Sequence, residues 1–140
     1  MTLSPPQIRL TPHHCAFSVP DLERAVAWYC DKLAFTLESR AVLPHLGAKV
    51  AFLIHDTFRI ELFELPGAAP LPEGRRVPDE DLRTHGVKHV AFAVKGVAET
   101  VEHLRSRGVV IAMAPRTIAS TCVAFVNDDS GNLIELVEDV

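Results

Sequence analysis

The sequence predicts an α+β domain made of two tandem β-α-β-β-β modules, each a curved mixed sheet with one covering helix. Three observations carry this. An internal repeat runs through the chain: HHCAFSVPDLERAVAWY at 13–29 lies on KHVAFAVKGVAETVEHL at 88–104, an offset of 75 residues, so that His14 falls on His89, Phe17 on Phe92 and Val19 on Val94. IELFE at 60–64 recurs as IELVE at 134–138, and VAFLI at 50–54 as VAFVN at 123–127, in the same order and at nearly the same offset. Finally, 140 residues with 48% hydrophobic and 23% charged composition suit one folded domain, with module 1 at about 9–64, a connection at 65–86 and module 2 at about 87–140.

The elements follow in order. Residues 14–19 alternate His14, Ala16 and Ser18 with Cys15, Phe17 and Val19, the period of a half-buried strand. Asp21 is an N-cap for a helix whose apolar residues Leu22, Ala25, Val26, Tyr29 and Leu33 recur at three- and four-residue spacing. Strands are expected near 36–43, 48–55 and 58–65. In the second module they are expected at 87–94, then a helix at 97–107 stopped by Gly108, then strands near 109–112, 119–127 and 132–138. Asp129-Ser130-Gly131-Asn132 is strong turn chemistry before the last strand.

Composition excludes several classes of function. A net charge of −4 with no basic stripe disfavours nucleic acid. No apolar run reaches the length of a membrane span and the N-terminal stretch has no signal-peptide pattern, so the expected location is cytoplasmic. Cys15, Cys30 and Cys122 lack metal or disulfide spacing and read as reduced core thiols.

Sheet parity points to the chemistry. With Phe17, Val19, Phe92 and Val94 under the helices, each uncovered face starts with an imidazole, His14 or His89, followed by small residues that leave room. The last strands add Glu61 and Glu135 to the same faces, each flanked by Ile and Leu. One such Glu most simply finds an Arg, and one such His a core partner. Recurrence of both at matching positions favours a divalent transition metal, Zn, Ni, Co, Mn or Fe(II), on a mixed nitrogen and oxygen donor set.

The motifs H-x-A-F-x-V at 89–94 and its counterpart at 14–19, D-L-x-x-A-x-x-W-Y at 21–29, I-E-L at 60–62 and G-N-L-I-E-L at 131–136 resemble the vicinal oxygen chelate superfamily, from about Leu10 to Glu138. That superfamily includes glyoxalase I, methylmalonyl-CoA epimerase, extradiol dioxygenases, fosfomycin-resistance transferases and bleomycin-binding proteins. The resemblance implies one divalent metal ion held by His14, Glu61, His89 and Glu135, a small-molecule substrate with adjacent oxygens or a carbonyl, and a homodimer. His13 is the alternative to His14, but the repeat places His13 on Lys88.

A four-ligand set with two carboxylates is similar to the glyoxalase I and epimerase branch, which implies an isomerase or lyase moving a proton next to a chelated carbonyl. Glu135 is then the expected base, with Glu61 as ligand or second proton carrier. Phe52, Phe63 and Phe125 are expected to wall an apolar substrate pocket, and Arg59, which shares the parity of Glu61, to meet a substrate anion or pair with a carboxylate. Two departures stand out: the glyoxalase branch has an Arg for glutathione on its first strand where this chain reads Ala16-Phe17-Ser18, and the epimerase has an early-strand Glu where it reads Gly47-Ala48-Lys49-Val50. The alternatives are an Fe(II) dioxygenase using His14, His89 and Glu135, and a metal-free antibiotic- or small-molecule-binding protein. The long Pro/Gly-rich connection reads as a lid, a dimer arm or a plain linker.

Overall fold

The computed structural model describes residues 8–139; residues 1–7 and 140 of the expected 1–140 domain lie outside it. Module 1 comprises β1 (His14–Ser18), α1 (Leu22–Leu33), β2 (Thr36–Leu43), β3 (Ala48–His55) and β4 (Phe58–Glu64). A 3-10 turn at Glu73–Arg76 and the short α2 (Pro78–Asp81) follow, then β5 (Val90–Ala93), α3 (Val97–Ser106), β6 (Val110–Ile118), β7 (Thr121–Asn127) and β8 (Leu133–Asp139). The sheets have equivalent orders, β1-β4-β3-β2 and β5-β8-β7-β6, with the first strand of each parallel to the last and the other pairs antiparallel.

Each helix covers one face. Asp21 caps α1 by accepting from the Arg24 N–H, and the helix buries Leu22, Ala25, Val26 and Tyr29, the apolar stripe of the sequence. The helix α3 buries Val97, Val101 and Leu104 but begins at Gly96, which has no capping side chain. Glu138, at the end of β8, fills that role by accepting from the N–H groups of Gly96 and Val97 at 2.8 and 2.7 Å. These two bonds, Val97's first, hold its carboxyl below the usual range. Its repeat partner Glu64 accepts from the Leu22 N–H at 3.1 Å.

The buried residues form one cluster that runs through both modules. Phe92 of β5 packs against Phe35 and Phe58 with ring centroids 6.0 and 5.5 Å apart. Tyr29 of α1 donates to Asp128 on the β7–β8 turn at 2.7 Å, and Arg107 after α3 binds Asp31 and receives Lys32 on its carbonyl. The modules thus meet through their helix-bearing sides and the edges of their sheets. The opposite faces keep His14, Ala16, Ser18, Ala91 and Ala93 exposed.

Three expected boundaries move by more than one residue. The strand expected at 109–112 extends to Ile118, because Pro115 sits in an irregular stretch of an edge strand, where a missing N–H is tolerated. Its partner starts at Thr121 instead of 119, since Ala119 takes a φ of 55° in the turn. The strand expected at 87–94 starts at Val90: the Val87 carbonyl is taken by the Arg75 guanidinium and the Lys88 ammonium by the Asp81 and Thr84 carbonyls.

Candidate functional site

Two His–Glu pairs stand at equivalent places in the two modules. In β1 and β4 the register sets Ala16 beside Glu61, and in β5 and β8 it sets Ala91 beside Glu135, so a small residue clears the space next to each carboxylate. His14 Nε2 lies 3.0 Å from Glu61 Oε2, and His89 Nε2 lies 2.9 Å from Glu135 Oε2. The third strand supplies a wall to each: Phe52 pairs with Glu61 and meets the His14 ring edge-on at 5.2 Å, while Phe125 pairs with Glu135 and meets His89 at 4.9 Å. The imidazoles are about a third exposed and the carboxylates less (32% and 17%; 30% and 20%), so both pairs face outward from the helices.

The structure brings the four candidate ligands together two by two. Among the described residues, no three His, Cys, Asp or Glu side chains gather closely enough to hold a metal ion. The sequence leaves open whether the two open faces meet within one chain or across two; in this chain they stand as two separate half-sites, and the contacts between the modules lie on the helix-bearing sides. The expected common aromatic pocket divides with them. Phe52 and Phe63 belong to the His14 face, where Phe63 sits beside Ser18 in the register, and Phe125 belongs to the His89 face.

The donor chemistry of each half-site fits a divalent cation. Two ligands about 2.1 Å from one cation and at right angles lie about 3 Å apart, close to the separation of each Nε2 and Oε2 here. His13 stays outside its pair: it is exposed and contacts only the His14 ring, Nδ1 to Nδ1 at 2.7 Å. Arg59 is engaged by Glu38 through bonds of 2.9 and 3.1 Å, which raise its guanidinium above the usual value, so of its two expected partners the structure shows the carboxylate. Under the helix, burial pushes the Cys15 thiol up to about 11, in keeping with an unreactive core cysteine.

A second cluster was not expected from the sequence. Asp81, 1% exposed, receives Arg75 Nε at 2.5 Å and Lys88 Nζ at 3.1 Å on the same oxygen. It ties the connection to the residue preceding His89. The connection also holds to module 2 through Asn127, which donates to the Arg76 carbonyl at 3.0 Å. In the sequence, Asp81 sits in an acidic run, PDED, within the Pro/Gly-rich connection. By contrast, the capping Glu64 and Glu138 had a visible signal, the shared final letter of IELFE and IELVE.

Comparison with known proteins agrees with this architecture. Residues 11–136 match the Glyoxalase/Bleomycin resistance protein/Dioxygenase superfamily. The uncharacterised protein YaeR of Escherichia coli is 32% identical over 130 residues, spanning 90% of this chain and 94% of YaeR. A lactoylglutathione lyase of Salmonella typhimurium is 29% identical over 127 residues, spanning 89% and 90%. The crystal structure of a glyoxalase family protein from Enterococcus faecalis superimposes with a TM-score of 0.74 at 19% identity, over 93% of this chain and 97% of that one, a likeness of fold. No described helix is long and apolar enough to cross a membrane. With its repeated modules and the match along nearly its whole length, this chain belongs to the glyoxalase, bleomycin resistance protein and dioxygenase superfamily, the vicinal oxygen chelate proteins.

Proposed function

We propose that this protein is a divalent-metal-dependent lyase or isomerase of the glyoxalase type, working as a homodimer in the cytoplasm on a small carbonyl or vicinal-oxygen compound. The observation that carries the reading is the pair of matched half-sites, each with one imidazole nitrogen and one carboxylate oxygen at the spacing of neighbouring ligands. One chain leaves both faces open, so a second copy placing its His89–Glu135 face over the His14–Glu61 face completes a set of four donors. By symmetry such a dimer holds two sites. The lactoylglutathione lyase relative supports the lyase assignment.

A bound divalent cation supplies polarisation of the substrate carbonyl. The residues do the rest. His14 and His89 would hold the cation through Nε2, beside the Glu61 and Glu135 oxygens that lie 3.0 and 2.9 Å away. Glu135 removes the proton from the carbon next to the carbonyl, and Glu61 carries a proton on the opposite side or stays a ligand. Phe52 and Phe125 pack edge-on against His14 and His89 and give each pair an apolar wall for the substrate.

The test uses two double variants, His14→Ala/Glu61→Ala and His89→Ala/Glu135→Ala. Each alone is expected to lose stoichiometric Zn or Ni binding. Mixed through unfolding and refolding they regain about a quarter of the wild-type metal sites, since half of the dimers are mixed and each mixed dimer rebuilds one of two sites. No recovery, with dimers present by sedimentation, would overturn the two-chain site. A wild-type protein that binds no transition metal would overturn the whole reading.

A further inference from the structure

Beside His89 lies a cavity of about 200 Å³ whose lining includes Arg75, Lys88, His89 and Asn132 together with Ala16 and Ser18 of the open face of module 1. No acidic residue lines it. The carboxylate that organises its cations, Asp81, stands behind the wall and is 1% exposed. Two cations on one anion leave the cluster with one uncompensated positive charge.

The two cations divide the work. Lys88 directs its ammonium to the Asp81 carbonyl and carboxylate and to the Thr84 carbonyl, so its three N–H groups are taken and it contributes only its field. Arg75 uses Nε on Asp81 and one N–H of Nη2 on the Val87 carbonyl. A guanidinium has five N–H groups, so Arg75, with 30% of its side chain exposed, keeps donors for a ligand while its position is already fixed. A planar cation held in place by its own carboxylate, in a wall without competing acids, is preorganised to grip a planar anion by paired bonds.

We infer that this pocket is an anion-recognition subsite that holds the carboxylate of a small substrate through Arg75. The single surplus charge and the small volume suit a monoanionic carboxylate better than a doubly charged phosphate. Because His89 lines the same cavity and carries Glu135 on its Nε2, and resting on the catalytic reading of the His–Glu pairs, the substrate class becomes a short carbonyl compound that also bears a carboxylate. Arg75 is then the specificity-determining residue, supplied by the connection between the modules.

Propionate is the probe, titrated into metal-free protein by calorimetry or ligand-observed NMR, with inorganic phosphate as the second arm. The wild type is expected to bind propionate saturably and more tightly than phosphate. Arg75→Gln weakens propionate about tenfold or more, the loss expected for a charge-assisted bond, and Arg75→Lys restores only part of it. Should Arg75→Gln fail to fold by circular dichroism, Ser18→Leu, which adds bulk to the cavity lining, is expected to give a loss of similar size. No saturable propionate binding, tighter phosphate binding, or a folded Arg75→Gln that binds propionate like the wild type overturns the inference. Metal stoichiometry is measured separately on the wild type: its failure removes the catalytic reading and leaves the propionate result standing.

Discussion

Removing the charge of Asp129 is expected to stabilise the protein at neutral and alkaline pH and to do almost nothing in acid. Its side chain is 6% exposed, its Oδ1 is buried without a partner, and its cation, Arg24, is 3.8 Å away and largely in solvent. Burial first, and then the charge of Asp128, push its carboxyl from 3.8 up to about 6. A folded-state value above the unfolded one means that the native protein holds this proton more tightly. Folding is therefore unpenalised below pH 3.8, loses stability as the pH rises through the interval to about 6, and levels off above it. At about 1.4 kcal/mol per unit this amounts to at most about 3 kcal/mol, and the nearby guanidinium and solvent reduce it to about 1–2. Urea unfolding of wild type and Asp129→Asn at pH 4, 6 and 8 measures it. The variant is expected to gain about 1–2 kcal/mol at pH 8 and no more than a few tenths at pH 4. An equal increment at both ends, or a loss at pH 8, would refute the reasoning.

Two further substitutions probe the same joint and its neighbour. Tyr29→Phe removes the hydroxyl that donates to Asp128 at 2.7 Å, while the Ser130 and Asn132 donors remain; thermal unfolding is expected to show a loss of about 1–2 kcal/mol, and an unchanged Tm would mean that the bond adds nothing to the contact between modules. Ala34→Gly is expected to stabilise by up to about 1 kcal/mol, because exposed Ala34 closes α1 in the left-handed conformation at φ 57° and loses no buried contact; a drop in urea midpoint would count against it.

Much of the fold was legible because the chain states it twice. Period-two alternation assigned Phe17 and Val19 to the helix side and His14, Ala16 and Ser18 to the open side, and the burial of β1 follows that division. The same parity singled out Glu61 and Glu135, which stand beside His14 and His89. What alternation cannot encode is which surfaces of two finished modules meet. That depends on side chains far apart in sequence, such as Tyr29 and Asp128 or Phe58 and Phe92. Whether the four candidate ligands meet within one chain or across two stays open in the sequence for this reason. Tertiary partners also explain the strand that was overextended: Val87 and Lys88 have strand-like neighbours, but Arg75 and Asp81 claim their polar groups. Pro115 hid the length of β6, because a proline in a strand reads as a stop unless the strand is known to be at an edge.

The five-residue signature that closes each module addresses both sides of its sheet. Glu61 and Glu64, like Glu135 and Glu138, are three positions apart, an odd number, so one carboxylate joins the histidine while the other crosses to fasten the helix start. Displacing either closing strand by a single position would exchange those assignments, stranding an acid beneath the helix and stripping the imidazole of its companion. Reactive geometry and helix anchorage are therefore locked to one alignment, and neither can drift during divergence without dragging the other along.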